Sequence, residues 1–295
     1  MFKSLLQWLS WEIIVFIVFV IVTSVSLRVC IRSRWTSAVR SKSQIIVTQD
    51  YRIKVFQLSK VGNALLDCED AVEISSDKKR IAVADGVSQS FAAQIWAQKL
   101  VNRLVLVRGN EDLEDLISTT ANDWQITVDA FLGSDAAWNI KKRVKDGAQA
   151  TFVTIALEAR EDSLVWNART IGDSIVVEIM SPVEGSKKVI VHPSNFSEIL
   201  AQNPETVSSQ KPFVRGVIYS HTGELSKGSQ LLVMTDALAK FLSKSLTFDV
   251  SIATVFPFLY DVEELKDIKF EAWVDRHRPE ELDDDDLTLV QVICG

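Results

Sequence analysis

The most constraining feature of this chain is its start. From Ile13 to Leu27 it runs fifteen residues without a charge, and extended back to Leu5 the stretch is 23 residues with Glu12 as its only charge. As a helix, residues 5–27 would span roughly 34 Å, enough to cross a bilayer with some tilt. Trp8 and Trp11 stand at one end, where interfacial aromatics belong, and Arg28, Arg32 and Arg34 flank the other. A cleaved export signal is the competing reading, with Ser24-Val25-Ser26 as its cleavage site. An export signal, however, carries its positive charge before the apolar run, and here the charge follows it. The expectation is one retained transmembrane helix in the inner or plasma membrane, with the excess of Arg and Lys placing the rest of the chain in the cytoplasm.

Residues 32–43 are basic, polar and non-periodic, so they read as a linker, and a folded domain is expected from residue 43 to 295. Residues 1–42 hold six basic side chains against Glu12, a balance of +5. Since the whole chain carries −7, everything after residue 42 carries −12. A domain this acidic is a poor grip for nucleic-acid phosphates. Cys30, Cys68 and Cys294 are too scattered for a disulfide framework or a zinc site, and His192, His221 and His277 show no metal-ligand spacing. Any metal chemistry must therefore run on carboxylates, which select hard ions such as Mg²⁺ or Mn²⁺.

Short β-rich runs follow the linker: Ile45–Val47, Arg52–Gln57, Arg80–Ala84, Ala150–Leu157, Leu164–Arg169, Ile175–Met180, Lys188–Val191, Leu231–Met234 and Leu287–Ile293. Several alternate apolar and polar residues as half-buried antiparallel strands do. Ala92, Ala93, Trp96, Ala97, Leu100, Val101 and Leu104 form one helical stripe, with Ser88 or Ser90 as its N-cap. Further helices are expected near 111–132, 195–203 and 258–278. Strand pairs and helices without strict alternation point to an α+β domain.

Four acidic sites stand out by context. Asp85 ends the apolar run Ile81–Ala84 and precedes Gly86. Asp236 ends Leu231–Thr235. Asp285 lies in the acidic run Asp283–Asp286, just before an apolar strand. Glu69 and Asp70 precede Ala71-Val72. An ionised carboxylate at the tip of a buried strand is costly unless it is paired or metal-bound. Three such tips converging would make an oxygen-ligand site for two divalent ions, with the Gly86 carbonyl free to approach a metal closely. Acids at strand ends are also common turn residues and caps, and the acidic run also reads as a solvated charge cluster.

The segments CEDAV (68–72), IAVADGVSQSFAA (81–93), GAQATFVTIAL (147–157), TIGDS (170–174), LLVMTDALAKFL (231–242) and DDDDLTLVQV (283–292), in this order, resemble the successive motifs of metal-dependent type 2C Ser/Thr protein phosphatases in their bacterial branch. The resemblance covers about residues 43–295. It implies an antiparallel β-sandwich flanked by α-helices (α-β-β-α), a monomeric catalytic domain and a phosphoprotein substrate. It further implies that Asp85 bridges two Mn²⁺ or Mg²⁺ ions, that Gly86 adds a carbonyl, and that Asp236 and Asp285 complete the second site. Glu69 and Asp70 would hold metal-bound water in an outer shell, and a hydroxide between the cations would attack phosphorus. Asp146, before Gly147, is a candidate for a third, weaker ion; an Asp-Gly turn is the plainer reading. Three positions depart from the family pattern. Leu65 stands where an arginine commonly meets substrate phosphate, Ile175 follows Gly-Asp-Ser, and Ala237 follows Asp236. Loss of the arginine motivates an alternative, a membrane-tethered pseudophosphatase that binds a partner without turnover.

Overall fold

The computed structural model describes residues 39–107, 113–133, 136–181, 188–211, 218–246, 252–260 and 267–295. The expected membrane helix over residues 5–27 lies outside them. Among the described residues no helix is long and apolar enough to cross a membrane.

In chain order the strands and helices are β1 (Ser41–Val47), β2 (Tyr51–Leu58), β3 (Asp70–Ile74), β4 (Arg80–Gly86), α1 (Ala93–Leu104), α2 (Leu113–Leu132) and α3 (Trp138–Asp146). There follow β5 (Gln149–Ala159), β6 (Ser163–Ile171), β7 (Ile175–Met180), β8 (Lys188–His192), α4 (Phe196–Leu200), β9 (Val207–Ser208) and β10 (Tyr219–Ser226). The chain closes with β11 (Gln230–Met234), α5 (Asp236–Leu246), α6 (Ile252–Val255), α7 (Asp267–His277) and β12 (Leu287–Cys294). Two sheets result, ordered β1-β2-β12-β11-β7-β8 and β10-β6-β5-β4-β3, with β9 pairing β5. Every pairing among the described residues is antiparallel.

Side-chain parity sorts the interior into three layers. Ile53, Val55, Ile81, Val83, Val153, Ile155, Val233, Val290 and Val292 fill the space between the sheets. Their neighbours point outward: Phe56, Leu58, Leu232, Met234, Leu287 and Leu289 pack under α5, α6 and α7. On the other sheet Ala71, Ala82 and Ala84 lie beneath Trp96, Ala97 and Leu100 of α1, with Ile117 and Trp124 of α2 beyond. Helix layers therefore cover both outer faces, giving the α-β-β-α order that the sequence resemblance implied. Alanines on β4 let α1 sit close to the sheet; a larger residue at the fully buried Ala84 would push the helix off and cost about 1–3 kcal/mol.

The start of α1 differs from expectation. Neither Ser88 nor Ser90 caps it. The helix begins after Ala92, which is left-handed (φ 54°, ψ 45°) and makes no side-chain cap. The Ser90 hydroxyl is engaged elsewhere, donating to the Val87 carbonyl at 2.8 Å and accepting from the Gln149 amide at 3.1 Å. It ties the loop after β4 to the start of β5.

Candidate metal centre

At one end of the inter-sheet crevice the inward parity turns from apolar to polar. On β2 the sequence Ile53, Val55 continues to Gln57; on β11, Leu231, Val233 continues to Thr235; on β12, Val292, Val290 leads back to Thr288. On the opposing sheet the inward positions at the same end are Asp85 of β4 and Asp70 of β3, direct cross-strand partners. Two carboxylates facing each other in register repel and destabilise a sheet unless something holds them.

Fixed donors hold Asp70. The Thr235 hydroxyl donates to its Oδ2 at 2.9 Å, and the Thr288 hydroxyl supplies a second bond. Both threonines are themselves pinned: the Thr288 amide donates to Thr235 Oγ1 at 3.1 Å, and Gln57 Nε2 donates to Thr288 Oγ1 at 3.3 Å. Asp70 is only 5% exposed, and burial, then Asp286, push its carboxyl well above the ordinary range. Asp85 is raised in the same direction, by burial first and then by Asp70, Asp236, Asp173 and Asp285. Burial also raises Asp285, with Asp236 adding to it and the Asp286 amide, which donates to Asp285 Oδ1 at 2.8 Å, opposing. The residues expected from sequence thus gather: Asp70, Asp85, Asp236 and Asp285 act on one another.

Asp236 is the first residue of α5, where the helix N-terminus favours negative charge. Lys240, one turn on, places its ammonium 2.5 Å from Asp236 Oδ2. Burial would lower that lysine, but Asp236 outweighs it and the ammonium is raised.

Asp285 and Asp286, both in the turn just ahead of β12, take different tasks. Asp286 is buried and spends both oxygens on backbone amides, accepting from Lys60 at 2.8 Å and from Glu69 at 2.6 Å. It fixes the segment leading into β3. Glu69 turns to the rim, where its carboxylate takes the Lys60 ammonium at 2.7 Å and the Ser88 hydroxyl. Gly86 is needed for contact: a Cβ there would lie 2.9 Å from the Glu69 carbonyl and 3.0 Å from Ala93. Its amide donates to the Glu69 carbonyl at 3.1 Å, locking the end of β4 to the Glu69-Asp70 segment.

Asp146 stands apart. It is exposed at the end of α3 and lines a separate cleft of about 220 Å³ with Val87, Ser90, Arg143 and Gly147. Leu65, at the position where the family often has arginine, lines a cleft of about 640 Å³ with Lys42, Gln57, Cys68, Asp70 and Lys99.

Asp173 was not among the residues singled out from sequence, although TIGDS was. Gly172 (φ 89°) turns the chain between β6 and β7, and the Thr151 side chain leaves no room for a Cβ there. The turn buries Asp173, whose carboxyl is pushed up to about 6 by burial and then by Asp236. Lys60 and Lys240 were likewise unmarked; their cue is the charge that an acidic cluster must find nearby.

Among the described residues, no three His, Cys, Asp or Glu side chains close tightly enough round one point to hold an ion unaided. The donor set still fits a hard divalent cation: carboxylate oxygens, desolvated, with their charge only partly met by two lysines.

No protein-family model matches this chain, and no curated protein matches it in sequence. Solved structures do. One is PppA, described as a key regulatory component of T6SS in Pseudomonas aeruginosa (14% identity, 85% of this chain and 100% of that one, TM-score 0.51). Another is the Mycobacterium tuberculosis serine/threonine phosphatase PstP/Ppp (15% identity, 83% and 99%, TM-score 0.50). A third is the catalytic domain of the serine/threonine protein phosphatase PstP in complex with two manganese ions (15%, 83% and 98%, TM-score 0.50). At these identities the likeness establishes the fold, one shared with these serine/threonine phosphatases.

Proposed function

We propose that this chain is a divalent-metal-dependent phosphatase of the type 2C class, hydrolysing phosphoserine and phosphothreonine on proteins. The observation that carries the reading is the cluster of like-charged, desolvated acids, Asp70, Asp85, Asp236 and Asp285, at one end of this particular sandwich. Asp85, Asp236 and Asp285 would hold two Mn²⁺ or Mg²⁺ ions, with the Gly86 carbonyl beside them. When bound, the cations supply Lewis-acid chemistry, activating water near neutral pH and neutralising phosphoryl oxygens. Asp70, held rigid by Thr235 and Thr288, would orient a metal-bound water. Lys240 holds Asp236 through Oδ2, which leaves Oδ1 to serve a cation. Lys60, at the rim with Glu69, offers a positive charge to an incoming phosphate.

The membrane side of the proposal adds a helix over about residues 5–27 and a linker, tethering a cytoplasmic, monomeric domain that begins with β1 at Ser41, two residues before the boundary expected at 43. Tethering raises the effective concentration of any membrane-bound phosphoprotein. A reporter fused to the C-terminus tests the orientation.

The catalytic reading predicts Mn²⁺- or Mg²⁺-dependent turnover of p-nitrophenyl phosphate and of phosphothreonine peptides, abolished by chelation and restored by metal. Leu65 favours the second reading, a tethered pseudophosphatase. Tight Mn²⁺ binding with no turnover of either substrate would select it.

A further inference from the structure

Helix α3 carries a surface that the catalytic reading does not use. Trp138, Lys141, Lys142 and Lys145 stand at i, i+3, i+4 and i+7, which places them on one face of the helix. All four are exposed, Trp138 at 79%. Val144, on the opposite side, is the buried residue that fastens the helix to the domain, and Ile140 beside it is half-buried. Arg143, on the flank, adds a further cation and lies over the Phe91 ring at 5.5 Å. Against Asp146 alone the helix carries +3, within a region that carries −12.

From this face we propose that α3 is a docking surface for an anionic lipid bilayer. An exposed tryptophan among lysines suits the headgroup region, where the ring is shed from water while its N–H and the ammonium groups stay solvated. Each lysine near such a surface gains about 1 kcal/mol from the negative potential, roughly a fivefold change in binding. Duplex or single-stranded nucleic acid would meet the same cations, but the acidity of the surrounding domain opposes a long polyanion. The charge-free run Ile13–Leu27 at the start of the same chain independently points to a bilayer as the partner within reach.

Docking here would also orient the site. The end of α3 runs through Gly147 into β5, and Gln149 of β5 accepts the Val87 amide at 2.9 Å, one residue beyond Gly86. A bilayer at α3 would therefore act on a helix joined through β5 to the loop that follows Asp85 and Gly86.

The test uses the full chain in nanodiscs of phosphatidylcholine, with or without 30% phosphatidylglycerol, and reads binding without turnover. Brominated phosphatidylglycerol should quench a share of tryptophan fluorescence that Trp138→Phe removes, whatever quenching Trp8, Trp11 and Trp35 contribute. Amide exchange across residues 138–146 should slow in the anionic discs, and Lys142→Gln with Lys145→Gln should reverse this about 25-fold in apparent affinity. Lys142→Arg with Lys145→Arg should retain it, and high salt should abolish it. Equal quenching and exchange in both lipids would overturn the proposal. So would slowing that appears only when a soluble phosphopeptide or protein is added, which would make α3 a protein-docking face. Circular dichroism of each variant separates a lost surface from a lost fold.

Discussion

Two polar clusters interrupt the apolar crevice between the sheets, and they are built on opposite electrostatic plans. At the strand ends Asp70, Asp85, Asp173 and Asp285 have carboxyls raised by burial and by one another, with Asp236 at the centre of the repulsion. At the edge formed by β7, β8, β6 and β10, Glu178, His192 and His221 gather around Trp166. His192 Nε2 lies 3.9 Å from Glu178 Oε2, and the two imidazole rings are 5.0 Å apart. Both Nε2 atoms and the Trp166 indole N–H are buried without a hydrogen-bond partner among the described residues. The second cluster can settle its own account by moving a proton, because it holds an acid beside two bases. The first cannot: its acids outnumber the two lysines at its rim, and it is clamped open by threonine hydroxyls and backbone amides. A protein retains such an arrangement when something from outside completes it.

The largest effects should come from splitting Asp285 from Asp286. Asp285→Ala should abolish metal-dependent turnover while costing no more than about 1 kcal/mol of stability. Asp286→Ala should cost about 3 kcal/mol, because two partly buried amides lose their acceptor. Asp286 serves the fold through those two amides, whereas the Asp285 carboxyl is raised by burial and by Asp236. Denaturant melts and p-nitrophenyl phosphate assays on both variants measure the two axes, and equal stability losses would erase the distinction.

Asp173→Asn sharpens the contrast next. Its native pKa of about 6 lies above the ordinary 3.8, so the ionised form burdens the metal-free fold above pH 6 and not below about pH 4. The metal-free variant should therefore be more stable than wild type by up to about 3 kcal/mol at pH 7.5, with the advantage fading as the pH falls towards 4. A constant difference across that range would mean packing, and not charge, is responsible.

The histidine cluster should respond with the opposite sign and less strongly. Burial lowers His192, with His221 adding to the effect, and burial lowers His221. Their contribution is therefore intact above the unfolded value of 6.5 and is lost as the pH falls through the lower native values. Glu178 is raised by burial, so its ionised form burdens the fold above its unfolded value of 4.5 and that burden eases with acid, partly offsetting the loss. His221→Gln should flatten the decline of stability below pH 6.5 by less than about 1 kcal/mol. An unchanged pH profile would remove these histidines from the balance.

Much of this was legible from sequence where the signal was local. Period-two apolar runs located β2, β4, β5, β6, β7, β11 and β12, and the carboxylates marked at the ends of β4 and β11 and ahead of β3 and β12 lie near enough to act on one another. What escaped was non-local or polar. Strand β10 (YSHTGELS) lies at a sheet edge with mostly exposed side chains, so no apolar alternation announces it. Helix α3 buries only Val144. Asp173 acquires its role through a turn at Gly172 that brings it to Asp236, 63 positions away in sequence, and Asp286 through amides on Lys60 and Glu69. Composition carries no trace of such pairings.

The central claim is that the clamped acidic end needs a cation, and calorimetric titration with Mn²⁺ tests it most directly. The full chain should bind Mn²⁺ saturably, Asp85→Asn should weaken the binding at least tenfold, and His221→Gln should leave it unchanged. Wild-type affinity in Asp85→Asn, or no binding by the wild type at all, would contradict the account.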